Sequence, residues 1–211
     1  MKKIILIFAI MAQAFAVEAS QLRMALLDTE DLTAQKSDLV AGPLQSGAIA
    51  QKGAALIGKL MLKSGAFNLI DRRDFTDRLD HVKLGPGSRP DNSSVLQAAR
   101  ALNADAVMKS ALLSLSAERR AINQSGYQVE FKNLTMRVMI EILDSTDGSI
   151  IAMADGAASQ EFRTTGADMT ILGEEEFLKL FENAVSKAVP EIEQMVARRM
   201  ERHAAKSRVP V

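Results

Sequence analysis

The sequence predicts a single-domain α/β sandwich, with a mixed sheet that is antiparallel in its C-terminal half and packed by helices. Three observations carry this. A strand pattern, a helical pattern and a second strand follow one another between residues 22 and 71, the order of a parallel crossover. Three strand patterns then run consecutively from 105 to 162, the last two joined by Ser145-Thr146-Asp147-Gly148. A long amphipathic helical pattern follows from residue 174.

Each element has its own signal. Leu22, Met24 and Leu26 alternate in a strand over 22–28, and the polar stretch Thr29–Ser46, broken by Gly42-Pro43, reads as a loop. Ile49, Leu56, Ile57, Leu60 and Met61 recur at helical spacing within 47–64, with Gly65 as the stop. Phe67–Asp71 is a short strand, and the charged stretch Arg72–Leu84 a short helix ending at Gly85-Pro86-Gly87. Ser93 or Ser94 is expected to cap a helix with Val95, Leu96, Ala99 and Leu102 on its apolar face, and Asn103 suits its C-terminus. Strands are expected over 105–116, 127–144 and 149–162. In the second, Met136, Val138, Ile140 and Ile142 alternate with Arg137, Met139 and Glu141, and Gly148 supplies the positive φ of a bulged turn. The last helix, Glu174 to about Lys206, sets Phe177, Phe181, Val185, Ala188, Ile192 and Met195 on one face; Pro190 is expected to kink it or start a new one.

The N-terminus has a different character. Lys2-Lys3, an apolar run from Ile4 to Phe15 broken only by Gln13, and Ala14, Ala16 and Ala19 form a secretory signal peptide, cleaved after Ala16 or Ala19. The run is short of the roughly 20 residues needed to span a bilayer. The expected organisation is a signal peptide over 1–19, the α/β domain over 20–173, and over 174–211 a C-terminal helix packing on that domain, with a polar tail.

Composition narrows the function. In 211 residues, 26 Lys+Arg balance 26 Asp+Glu, so no general attraction for nucleic acid exists and no local basic stripe supplies one. Cysteine is absent, which excludes disulfides, thiolate metal sites, cysteine nucleophiles and a lipid-modified N-terminal Cys. Gly53–Leu60 (GAALIGKL) approaches a phosphate-binding P-loop but ends in Leu60 where Ser or Thr must hold magnesium. It also lies within a helical pattern, where Gly53 and Gly58 instead let the helix approach the sheet. Neither His81 nor His203 has partners in sequence, and no carboxylate pair, cofactor motif or metal motif stands out, so no enzyme is expected. In Asp71-Arg72-Arg73-Asp74, Arg72 and Arg73 are the candidate contact to a partner or anion; a self-paired polar turn is the alternative.

Taken in order, RMALLD, LMLKSGAFNLIDRRDF, LNADAVMKSAL and FKNLTMRVMIEILDSTDGSIIAMADG resemble the CsgG family of bacterial envelope proteins, whose curli-export members form outer-membrane channels. The peptidoglycan-synthase activators of the LpoB type are related to that family. The resemblance implies a non-enzymatic periplasmic protein, with or without outer-membrane association and self-assembly. Its implied partners are envelope proteins, either assembly machinery or a peptidoglycan synthase. A curli-type channel subunit and an LpoB-like activator are the alternatives. Against a channel, the chain lacks the lipidated Cys, and Thr29–Ser46 holds no aromatic for a constriction. The candidate spanning hairpins also carry charge: over 113–131 Arg119 falls in register with Leu113, Leu115 and Ala117, and 158–172 contains Glu161, Arg163 and Asp168. A soluble periplasmic domain is therefore the expected form.

Overall fold

Alternating apolar residues on every long strand require cover on at least one sheet face, and the four helices provide it. The computed structural model describes residues 21–33, 46–82, 90–124, 127–165 and 174–207. The elements are β1 (Leu22–Leu26), β2 (Glu30–Asp31), α1 (Ser46–Ser64), β3 (Phe67–Leu69), α2 (Arg72–Val82), α3 (Asn92–Ala101), β4 (Ala106–Gln124), β5 (Tyr127–Asp144), β6 (Ile150–Thr165) and α4 (Glu174–Ser207). The signal-peptide segment and the Gly42-Pro43 and Gly85-Pro86-Gly87 breakers lie outside the described residues.

The strands form one mixed sheet in the order β3-β1-β4-β5-β6, with β2 beside β4. β1 pairs in parallel with both β3 and β4, while β4, β5 and β6 form an antiparallel meander. On one face α1 and α4 enclose the larger core, including Met24, Ile57, Met61, Met136, Ile140, Phe177 and Phe181. On the other, α2 and α3 cover Ala25 and Val107 with Phe75, Leu79, Val95 and Ala99. The parallel half is thus apolar on both faces, as crossovers on both sides demand. The antiparallel half has one covered and one open face: Met136, Val138, Ile140 and Ile142 are fully buried, while Arg137 faces outward and bonds Asp155 through Nε at 2.7 Å.

Turn chemistry fixes the joints. Gly65 ends α1 at φ 76°, and Gly148 takes φ 73° in the β5–β6 turn, after which Ile151 is the extra residue of a bulge between the Leu143–Ile150 and Ile142–Ala152 pairs. Asn103, at φ 54°, closes α3: its N–H bonds the Arg100 carbonyl and the Ala104 N–H the Ala99 carbonyl, both at 3.0 Å, a Schellman arrangement.

Several expectations change. The loop from Thr29 contains β2, held to β4 by backbone bonds, the Leu32 N–H donating to the Leu112 carbonyl at 3.0 Å. The α3 cap is Asp91, not Ser93 or Ser94; its carboxylate accepts from the Ser94 N–H at 2.8 Å. β4 runs eight residues past Ser116 because β5 continues to pair with it. A bulge between Leu112 and Ser114 resets the alternation, so Leu113 drops out of register with Leu115; the side chains of Ala117 and Arg119 lie outside the described residues. α4 continues through Pro190, which is exposed, and its core contact near the C-terminus is Val196 while Met195 is half-buried.

Candidate functional site

α1 buries Ala54, Ile57 and Met61 against the sheet, a stripe of ordinary helical spacing. Gly58 and Leu62 lie one step round the helix from that stripe. Gly58 is buried, and a Cβ there would stand 3.2 Å from Leu26 Cδ2 and 3.3 Å from Leu69 Cδ1. The missing side chain leaves an open groove of about 770 Å³ between α1 and the β1–β3 edge, walled by Leu26, Ala55, Leu62, Leu69 and Ile70. Leu62 is 55% exposed, one of few large apolar side chains so displayed among the described residues.

The rim is cationic. Lys59, Lys63 and Arg72 line the groove. Lys59 Nζ lies 3.8 Å from Glu182 Oε1 of α4, a loose and exposed pair, and Arg72 is paired with Asp28 beyond the end of β1. An apolar floor with a positive rim suits a peptide segment with apolar anchors and acidic flanks.

Of the two arginines singled out in the sequence, the fold brings Arg72 into this groove and leaves Arg73 on the exposed surface of α2. The polar turn is self-paired only in part: Asp71 Oδ1 accepts from the Arg73 N–H at 2.7 Å, but the Arg72 guanidinium reaches Asp28. The groove's apolar members were not singled out in the sequence. Their signal was present: Leu62 is an apolar residue outside the core stripe, four positions after a glycine and flanked by Lys59 and Lys63.

The P-loop-like run lies wholly within α1, and its glycines mark close approaches. A Cβ at Gly53 would stand 2.9 Å from Thr29 Oγ1 and 3.1 Å from Phe181 Cζ, so here α1 meets both the sheet and α4. His81 is exposed at the end of α2. His203 lies in a second, wider cleft with Arg100 and Arg199, whose charges are offset by Asp105 and Asp144; Arg199 Nη2 is 3.8 Å from Asp144 Oδ2. At its margin the Ser149 N–H, 2.8 Å from Asp147 Oδ1, holds the Asp147 carboxyl below the ordinary aspartate range. Among the described residues, no group of three His, Cys, Asp or Glu is placed to hold a metal ion, and no helix is long and apolar enough to cross a membrane.

No protein-family model and no curated protein matches the chain. Solved structures do show similarity. The LpoB C-terminal domain from Salmonella enterica is 16% identical, the match covering 70% of this chain and 89% of that one, with a TM-score of 0.46. The PelC dodecamer from Paraburkholderia phytofirmans is 13% identical over 82% of this chain and 88% of that one, with a TM-score of 0.40. A lipoprotein from Neisseria meningitidis is 9% identical over 78% and 95%, with a TM-score of 0.41.

Proposed function

We propose that this chain is an exported, non-enzymatic envelope protein that works by binding another protein, and that the groove beside α1 is its docking surface. One observation carries the proposal: the exposed Leu62 stands over an apolar groove walled by Leu26 and Leu69 and rimmed by Lys59, Lys63 and Arg72. Burying Leu62 would remove it from water at a gain of about 1 kcal/mol, given its partial exposure. The cationic rim would steer an acidic partner toward it. The signal-peptide pattern supports export, with a mature protein beginning at Val17 or Ser20. The resemblance of the sequence to the CsgG family directs the role toward assembly, transport or regulation of surface structures, and its LpoB-type branch toward a peptidoglycan synthase as partner.

A periplasmic form fits the far end of the β4–β5–β6 ribbon better than a channel. Lys132, whose backbone pairs with Arg119, belongs to one face, while Glu118, Arg120, Glu161 and Arg163 belong to the other. A spanning hairpin needs one apolar face, and an arginine or lysine on lipid at the bilayer midplane costs roughly 2 to 4 kcal/mol. Neither face meets that need.

Site-specific photo-crosslinking in cells tests the docking surface. A photoreactive residue at Leu62 is expected to form an adduct with a second envelope protein, and one at exposed Asp77 of α2 none. Equal adducts at both positions, or none at Leu62, would remove the groove from the account.

A further inference from the structure

The outer edge of β6 has its own geometry. The Leu27 N–H donates to the Met108 carbonyl and the Leu32 N–H to the Leu112 carbonyl, so the even-numbered residues in the first half of β4 face β1 and β2. Lys109 and Ala111 therefore face β5, where they oppose Glu141 and Met139. It follows that Met136, Val138, Ile140 and Ile142 face β6, where Ala158, Gly156, Ala154 and Ala152 oppose them in turn. The Asp144 N–H bonded to the Ser149 carbonyl at 2.8 Å fits this phase. The odd residues of β6 therefore point their N–H and C=O groups outward, and among the described residues no strand pairs with them. The Ala157 carbonyl is held by Lys187 Nζ of α4 at 2.7 Å. A carbonyl oxygen has two lone pairs, so this contact leaves room for a ladder bond.

We infer that the β6 edge is a self-association surface, on which β6 of a second copy adds in antiparallel register about a two-fold axis at Ser159. Outward groups must meet outward groups, so odd residues pair with odd residues. With the axis at Ser159, Asp155 lies opposite Arg163 of the second copy and Arg163 opposite its Asp155, while Ala157 meets Glu161. Moving the axis to residue 158 would set Asp155 against Glu161, a destabilising like-charge pair. The charged side chains are already held on the open face: Asp155 by Arg137 Nε at 2.7 Å, and Arg163 with its guanidinium carbon 5.8 Å from the centre of the Phe131 ring. At the axis, the Ser159 hydroxyl bonds Thr135 at 2.8 Å, and this hydroxyl ladder would continue into the second copy.

The absence of cysteine makes the register directly readable. In the purified full chain, Ser159→Cys places two thiols across the axis, where Cα atoms of a hydrogen-bonded pair stand about 5.5 Å apart, within disulfide range. Ala157→Cys places them about 13 Å apart, four residues of strand rise, beyond it. Mild oxidation is expected to yield covalent dimer from Ser159→Cys and not from Ala157→Cys. Sedimentation should show a monomer–dimer equilibrium weakened about ten-fold or more by Asp155→Arg or by Arg163→Asp. The double exchange should restore it to within about three-fold, because it rebuilds both pairs in reverse. Covalent dimer from both cysteine variants or from neither, a monomer at every concentration, or a dimer indifferent to the single exchanges would each overturn the inference.

Discussion

Two of the glycine-based helix–sheet contacts among the described residues do opposite things. Where α4 crosses β6, a Cβ added at Gly156 would fall 1.9 Å from the Ala184 carbonyl oxygen and 3.3 Å from the Ala188 nitrogen. Backbone meets backbone there, and Ala152, Ala154 and Ala158 keep the contact small along the strand. Where α1 passes β1 and β3, a Cβ at Gly58 would meet only the ends of Leu26 and Leu69, at 3.2 and 3.3 Å, beside an open groove. The same residue type closes one interface and leaves the other open, and what lies opposite decides which. A closed crossing of this kind holds the fold, whereas an open one with an apolar floor is available to a partner.

Substitution should separate the two crossings by magnitude. Gly156→Val is expected to cost about 3 kcal/mol or more, because the opposing atoms are main chain and α4 must lift from the sheet. Denaturant unfolding measures it, and a loss under about 1 kcal/mol would show that the crossing is looser than described. The β5–β6 turn supplies an intermediate case: at Gly148, φ is 73° and a Cβ would stand 3.0 Å from Leu96 Cδ1. Gly148→Val should cost about 1 to 3 kcal/mol, and Gly148→Asn less, since asparagine tolerates the left-handed region. Gly58→Ala belongs at the small end. The gain in helix propensity, up to about 1 kcal/mol, works against a few tenths of an ångström of give in two leucine tips, leaving the midpoint close to wild type.

Acid should act on a smaller scale and mainly on the open faces. The Arg137 hydrogen bond holds the Asp155 carboxyl below its ordinary pKa; the Ser94 hydroxyl and amide do so for Asp91, and the Ser149 amide for Asp147. For a depressed carboxyl, the stabilisation is fully present above the unfolded value, about 3.9 for aspartate, and is lost as pH falls through the lower folded value. Thermal midpoints should therefore hold down to about pH 5 and drop below about pH 4. Asp155→Asn should make that drop shallower. An unchanged acid limb would mean that the pair contributes nothing to it.

How far the sequence foretold this arrangement depends on what each residue answers to. Alternation in β5, the positive-φ glycine at residue 148 and Asn103 at the end of α3 are local signals, and the structure agrees with each. The far half of β4 was read only within a candidate hairpin over 113–131 and not as a continuation of the strand over 105–116, because Glu118, Arg119 and Arg120 lack an apolar rhythm; the ladder to β5 extends it. At Pro190 no new helix starts, because α4 is fixed along its length by buried Val185, Ala188, Ile192 and Val196, so tertiary packing outweighs one missing bond. Ser93 and Ser94 competed with Asp91 as caps, and the carboxylate, the stronger acceptor toward a helix start, holds the position. Arg72 was singled out with Arg73 as a candidate partner or anion contact from its charge and its place at a helix start. That it joins Leu62, Leu69 and Gly58 depends on β3 lying beside β1, a long-range pairing that no local pattern encodes.

The docking claim is tested most directly by affinity. With the partner captured at Leu62 purified, titration calorimetry of the wild-type chain and Leu62→Asp compares binding while thermal unfolding checks the fold. The substitution sets a negative charge on a half-exposed position at the groove, so the unfolding midpoint should stay close to wild type and the dissociation constant should rise about ten-fold or more. An unchanged dissociation constant with the fold intact would contradict the assignment of this groove as the binding surface.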